Sequence, residues 1–244
     1  MNILKSLFGS DSDLSRPDIK RFRDVVVDLS SNILAMPDVK HTAMYPISAF
    51  PEDSDIYNLR NFYESEGNVY ALRIYERGWS HKGYRASSIG STVLTITLMH
   101  FPEQFHPELN FFDQSDLEIS ILKLCNEFWA CNNTGAKLGS LGSADHVYPV
   151  KSEDFQYKEF NSTRWLVAKS EYHHEEPEYL FVAPVSKNHY LLVDFSLQRH
   201  SGYKYYSPEH NLEEVTHQTM NDFMDRCVLR LSQKSLRDKA EAEV

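Results

Sequence analysis

The chain has 244 residues and a mass of 28.4 kDa, with 41% hydrophobic, 25% charged and 13% aromatic residues. This composition is typical of a folded globular protein and excludes a largely disordered, collagen-like or coiled-coil chain. The net charge of −10 means that a nucleic-acid backbone or an anionic membrane surface would repel the protein. We therefore expect neither nucleic acid nor a membrane among its partners.

Two features of the sequence favour a cytoplasmic location. Residues 1–13 contain an apolar patch too short for a secretory signal, and no stretch approaches the ~18 apolar residues of a membrane-spanning helix. The three cysteines form no Cys-x-x-Cys motif: Cys125, Cys131 and Cys227. We expect all three to be reduced thiols, as in a cytoplasmic protein.

The first predicted element is a helix that begins near Ser15 and ends before Pro37. Ser15 is a suitable N-cap, and Pro17 suits the first turn of a helix. Apolar residues then recur at spacings of three and four: Ile19, Phe22, Val26, Leu29 and Ile33. This spacing predicts one amphipathic helix at the start of the fold.

Three strands are predicted next, at residues 56–63, 68–76 and 87–101, and together they form an antiparallel meander. Residues 77–85, between the second and third strands, are predicted to be a long loop. In the third strand, apolar and more polar residues alternate: Leu94, Ile96 and Leu98 against Val93, Thr95 and Thr97. This alternation is typical of a sheet that is covered mainly on one side.

A second helix is predicted to begin after Ser115, which forms a Ser-x-x-Glu capping box with Glu118. Residues 132–143 follow this helix and contain three of the nine glycines. We expect this segment to be a linker between a first half, residues 1–131, and a second half, residues 144–244.

The second half is predicted to repeat the order of strands followed by a helix. Four strands are expected, at 155–160, 164–173, 179–185 and 189–199. A long helix follows Asn211, its apolar stripe continues to Leu231, and residues 232–244 should fray. The predicted fold is α+β, with antiparallel meanders packed against three helices. Two similar ββα-type halves and one continuous sheet both remain open.

Histidines and carboxylates are concentrated in residues 173–178, which include Glu178. Two imidazoles and several carboxylates could hold a divalent metal ion if the backbone turned them inward: His173, His174, Glu175 and Glu176. Adjacent side chains on an extended backbone point to opposite faces, which works against a shared ion. A solvated hairpin connection is the simpler interpretation.

The motifs of nucleophilic catalysis and of phosphate binding do not occur at positions where they could function. No Gly-x-Ser-x-Gly or Ser-x-x-Lys motif lies where a nucleophile is needed, and no glycine-rich phosphate loop opens a helix after a strand. We therefore predict no catalytic residue and no cofactor.

The predicted loop at 77–85 concentrates basic and aromatic residues in an otherwise acidic chain. These types dominate the strongest contacts of protein interfaces, so we expect a partner-binding site made of Arg77, Trp79, His81, Lys82, Tyr84 and Arg85. In the alternative interpretation, Trp79 folds back over the sheet and covers the core.

These observations favour a non-catalytic cytoplasmic protein-interaction protein of the immunity, adaptor or secretion-accessory type found in bacteria. Its partner would be another protein. The acidic surface could serve a basic partner. The alternative function is a metal-assisted hydrolase that uses the histidine and glutamate clusters.

Overall fold

The computed structural model describes residues 14, 16–40, 55–64, 66–82, 88–137, 146–172, 176–200, 204–208 and 210–242; within α1, side chains are described for residues 114–127 and 129. The helices of this part of the chain are α1 (Gln114–Lys137), α2 (Leu212–Met224) and α3 (Gln233–Ala242). Its strands are β1 (Asp24–Leu29), β2 (Asn32–Pro37), β3 (Tyr63–Glu64), β4 (Tyr70–Lys82), β5 (Ser88–His100), β6 (His146–Val147), β7 (Gln156–Phe160), β8 (Thr163–Tyr172), β9 (Glu176–Ser186), β10 (His189–Arg199) and β11 (Val228–Arg230). The predicted α+β class is confirmed.

Every strand pairing among the described residues is antiparallel, and the strands form two sheets. Eight strands form the large sheet, in the order β3-β4-β5-β10-β9-β8-β6 with β7 beside β8. The small sheet has the order β1-β2-β11. β5 and β10 pair along their length, from His100 opposite His189 to Gly90 opposite Arg199. Strands from both sides of residues 132–143 therefore belong to one sheet.

The two faces of the large sheet are covered by different elements. On one face, Leu94, Ile96 and Leu98 are fully buried in a core cluster that also contains residues of the small sheet and of α2. On the other face, α1 contributes Ile121 and its neighbours to a second core cluster. Thr95, on this second face, is half-buried. The alternation predicted for this strand is therefore present, and α1 adds a layer to the more polar face.

The predicted first helix is wrong, because β1 and β2 form a hairpin in its place. Ser30 and Ser31 connect the strands with positive φ angles of 53° and 73°, the backbone of a tight two-residue hairpin turn. Asp28 supports the turn, since its carboxylate accepts a hydrogen bond from the Ser31 backbone at 2.6 Å. Three consecutive valines, at positions 25–27, also favour a strand over a helix.

The predicted last helix is also wrong in its length. Helix α2 ends at Met224, and the chain then forms β11, whose Leu229 lies opposite Leu34 of the small sheet. The Asn161 side chain donates hydrogen bonds to the carbonyls of Asp225 and Cys227, both at 3.0 Å. These bonds satisfy backbone groups that a continuing helix would have used. Residues 233–242 form α3, so the predicted fraying is wrong there as well.

Smaller corrections concern a predicted strand and a predicted cap. Residues 56–63 contain the 3₁₀ turn Leu59–Asn61, and strand structure begins only at Tyr63. Helix α1 begins at Gln114, and its cap is Asp113, whose carboxylate accepts a hydrogen bond from the Ser115 backbone at 2.8 Å. Glu118 instead accepts hydrogen bonds from the side chains of Gln114 and Tyr157.

Cys125 and Cys227 are buried free thiols, and burial raises the pKa of both to about 12. Such thiols behave as small apolar side chains and react poorly. The side chain of Cys131 lies outside the described residues. In the part of the chain that the structure describes, no helix is both long and apolar enough to cross a membrane.

Candidate functional site

The residues predicted to bind a partner lie mainly on β4. The predicted loop is wrong up to Lys82, because β4 continues to that residue. Trp79 is 2% exposed and His81 is fully buried, and the His81 Nε2 atom hydrogen-bonds the Thr92 hydroxyl across the sheet at 2.9 Å. A strand that pairs with β5 carries these two side chains into the interior.

The remaining members of that set have different environments. Arg77 forms an ion pair with Asp38 at 2.7 Å and donates a hydrogen bond to the Val39 carbonyl at 3.1 Å. It thereby fastens the segment after β2 to β4. Lys82 is exposed, and Tyr84 and Arg85 lie outside the described residues. A partner contact by any of these six residues stays a prediction.

The predicted metal cluster lies largely beyond the described residues, which exclude His173, His174 and Glu175. Glu176 begins β9 and is half-buried. Within the described ranges, no three His, Cys, Asp or Glu side chains lie together in a way that could hold a metal ion. The metal site therefore stays a prediction.

A cleft of about 550 Å³ lies between the large sheet and the C-terminal half of α1. Its apolar walls include Leu180 and Leu192, and its polar groups include Arg73, Thr95, Glu127, Trp129, Glu178 and Asp194. A concave site with apolar walls and a few converging polar groups is the usual form of a binding pocket. We refer to this feature as the carboxyl cleft.

Strand register brings two carboxyl groups together on the floor of the carboxyl cleft. Asp194 lies opposite Thr95 on one side and opposite Leu180 on the other, and Glu178 is two residues before Leu180 on β9. Asp194 and Glu178 are thus diagonal neighbours on one face of the sheet, within reach of each other. The sharing of this face follows from the two-residue side-chain period of a strand.

The two carboxyl groups lie close enough to influence each other's ionisation. Burial, and then the negative charge of Glu178, raise the pKa of Asp194 well above its usual range. Burial also raises the pKa of Glu178. Two buried carboxyl groups so close together do not both ionise readily, because their negative charges repel each other. The stronger shift is at Asp194, so Asp194 is the group of the pair that favours its protonated form.

Neighbouring donors orient both carboxyl groups of the pair. The Glu178 carboxylate accepts a hydrogen bond from the Trp129 indole N–H at 3.1 Å and from the Ser170 hydroxyl at 3.4 Å. The Thr95 hydroxyl donates to Asp194, also at 3.4 Å. These contacts hold both carboxyl groups in place before any ligand enters, which lowers the entropic cost of binding.

The geometry of the carboxyl cleft suits exchange of a carboxyl proton for a cation. An ammonium or guanidinium group could form charge-assisted hydrogen bonds with both carboxylates. The leucine walls would contact the aliphatic stem of a lysine or arginine side chain, which is apolar along most of its length. Tyr63, which is 54% exposed, adds an aromatic ring to the lining.

Sequence reasoning noticed only half of this site. Glu178 lies in the histidine and glutamate cluster of the sequence, whereas no sequence motif marks Asp194. The available signal was a single carboxylate in the middle of the apolar strand 189–199.

Known proteins give no external guide to this site. Comparison of the chain with known protein families, with curated protein sequences and with solved structures found no match. The residues of the carboxyl cleft are therefore interpreted from their own chemistry.

Proposed function

We propose that this chain is a non-catalytic, cytoplasmic protein-interaction protein, and that its carboxyl cleft receives a lysine or arginine side chain of a partner protein. The carrying observation is the close pair of buried carboxyl groups, Glu178 and Asp194, on the floor of an open cleft. The buried free thiols of Cys125 and Cys227 support a reducing compartment.

The raised pKa of Asp194 means that this group retains a proton more readily than an ordinary aspartate. An entering cation would offset the repulsion between the two carboxylates, lower the pKa of Asp194 and favour release of its proton. Hydrogen bonds to charged groups contribute about 1.5–3 kcal/mol each, and they are strongest where water is excluded. Binding should therefore be tighter at higher pH, where the pair loses its proton more easily.

The other charged groups of the cleft are compatible with a basic ligand. Arg73 would repel a cation, but its guanidinium forms an ion pair with Glu76 at 3.1 Å. Glu127 also lines the cleft and adds negative charge. The protein as a whole has a net charge of −10, which would speed the approach of a basic partner.

The test begins with capture of bound proteins from the source cells by the wild-type chain, followed by titration calorimetry with the purified partner. We expect Glu178→Gln and Asp194→Asn each to weaken binding at least tenfold while the fold stays intact. Glu153→Gln is the matched control, because Glu153 is an exposed carboxylate on the 3₁₀ turn Ser152–Asp154. The control variant should bind like the wild type.

Two further measurements make the test specific. Removal of one lysine or arginine from the partner should cause the same loss, and combining it with Glu178→Gln should add little more. Calorimetry in buffers with different ionisation enthalpies should detect proton release on binding. A partner that binds the Glu178→Gln variant as tightly as the wild type would overturn the proposal.

A further inference from the structure

A second cavity, of about 350 Å³, lies at the opposite end of α1 from the carboxyl cleft. We refer to it as the α1–α3 pocket, because residues of both helices line it. Its apolar lining includes Phe111, Leu117, Leu229 and Leu236, of which the first three are almost completely buried. Its volume lies at the lower end of the range of small-molecule pockets, which is roughly 300–1,000 Å³.

Two cationic residues, Arg164 and Lys239, line this pocket next to the apolar residues. The Arg164 guanidinium lies 3.9 Å from the centre of the Tyr157 ring. Glu159 is opposite Arg164 in the β7–β8 register, yet no carboxylate of the described residues lies within ion-pair distance of Arg164. Arg164 is thus held by an aromatic ring, with its charge available to a ligand.

The nearby carboxylate of Glu118 is already satisfied by other groups. It accepts hydrogen bonds from the Tyr157 hydroxyl at 2.8 Å and from the Gln114 amide at 2.7 Å. Burial alone would raise its pKa, but these hydrogen bonds, one from Ser152 and the positive charge of Arg164 outweigh burial and lower the pKa of Glu118. Glu118 therefore fixes the position of Tyr157, which in turn carries Arg164.

We propose that the α1–α3 pocket binds a small amphipathic carboxylate, such as a medium-chain fatty acid in its free, monomeric form. The carboxylate would contact Arg164 and Lys239, and the hydrocarbon chain would lie against Leu117, Leu229 and Leu236. Charge complementarity supports this class of ligand, because two cations border an apolar cavity in a protein of net charge −10. An anion with an apolar body fits this pattern, whereas a cation or a purely polar anion does not.

The test uses decanoate below its micelle concentration as the probe, with titration calorimetry and methyl NMR of the leucine residues. We expect saturable binding of one decanoate per chain, with the largest shifts at Leu229 and Leu236. Arg164→Gln should weaken binding at least tenfold, and Lys239→Gln should weaken it further. Lys187→Gln is the matched control, since Lys187 is paired with Glu103 elsewhere on the surface; this variant should bind normally.

Other outcomes would overturn the proposal. Equal binding of decyltrimethylammonium would show that the cations do not select the ligand. Sedimentation of the protein with phosphatidylglycerol vesicles, without binding of monomeric decanoate, would point to a membrane surface instead. Absence of saturable decanoate binding, with the fold verified by thermal denaturation, would refute the site itself. These outcomes are independent of the carboxyl cleft, because the pocket shares no residue with it.

Discussion

His100 and His189 lie opposite each other on β5 and β10 and stack, with ring centroids 4.0 Å apart and an angle of 20° between the rings. The His189 Nε2 atom donates a hydrogen bond to the Ile56 carbonyl at 2.8 Å, and its Nδ1 atom accepts one from the Ser186 hydroxyl at 2.7 Å. Burial lowers the pKa of His100 to about 4 and, together with the charge of His100, lowers the pKa of His189 to about 3. Both rings are therefore neutral at physiological pH.

We predict that this pair makes the protein sensitive to acid. The folded-state pKa values lie below the unfolded value of 6.5, so the unfolded state takes up protons first as the pH falls. The stabilising contribution is complete above pH 6.5 and is lost down to about pH 4 for His100 and about pH 3 for His189. The slope within each window is about 1.4 kcal/mol per pH unit for each histidine.

Urea unfolding at pH 7 and pH 5 measures this effect. In a His100→Phe variant, the loss of stability between these pH values should be smaller than in the wild type by roughly 2 kcal/mol. Glu178 and Asp194 have raised pKa values and act in the opposite direction, but both proteins contain them. An equal loss in the variant and the wild type would refute the assignment.

Asp194→Asn should raise the melting temperature at pH 7. The raised pKa of Asp194 means that its folded-state environment disfavours the ionised form, so this group destabilises the fold at neutral pH. An asparagine amide can donate to Glu178 and accept from Thr95 without holding a proton. We expect an increase of a few degrees, which shrinks as the pH falls toward 5. A lower melting temperature at pH 7 would contradict the raised pKa of Asp194.

Truncation of the buried face of α2 should be severely destabilising. Phe223 is fully buried, and its ring centroid lies 5.7 Å from that of Phe195 and 6.4 Å from that of Tyr75. We expect Phe223→Ala to cost about 3–5 kcal/mol in the free energy of unfolding. Gln218→Ala, at an exposed position of the same helix, is the control. Denaturant titration of both variants provides the measurement, and an unchanged midpoint for Phe223→Ala would be incompatible with its packing.

A glycine at position 31 should stabilise the β1–β2 hairpin. Ser31 has a φ angle of 73°, which costs an L-residue energy that glycine avoids. Its backbone hydrogen bond to Asp28 does not depend on the side chain. We expect Ser31→Gly to add about 0.5–1 kcal/mol of stability, measured by thermal unfolding. A loss of stability would show that the Ser31 side chain has a role of its own.

The sequence predicts strands best where apolar and polar residues alternate over a long stretch and the connecting turn is short. The predicted strand at 189–199 has the bounds of β10, and the predicted strand at 87–101 lies within one residue of β5 at each end. The turn at Ser30 and Ser31 was not predicted, because serine is an uncommon residue for a turn that requires two positive φ angles. Without a recognised turn, the spacing of the flanking apolar residues fitted a helix equally well.

The candidate site shows a second limit of sequence reasoning. Glu178 and Asp194 are far apart in the sequence and meet only because β9 and β10 pair in one register. A shift of one residue would place Asp194 on the opposite face of the sheet, among the core residues. The composition of each strand can therefore suggest a buried carboxylate, but the pairing of two carboxylates is a property of the assembled sheet.

The last prediction separates the two roles considered for Trp79. Because Trp79 is 2% exposed and belongs to the main core cluster, Trp79→Ala should cost about 3–5 kcal/mol and lower the melting temperature. Lys82→Ala, at the exposed end of the same strand, should change stability by no more than about 0.5 kcal/mol. Thermal denaturation of both variants gives the comparison. A Trp79→Ala protein that melts like the wild type would support Trp79 as a surface binding residue. A strongly destabilised variant would leave Lys82, the exposed residue among the described members of the set, to test in partner titrations.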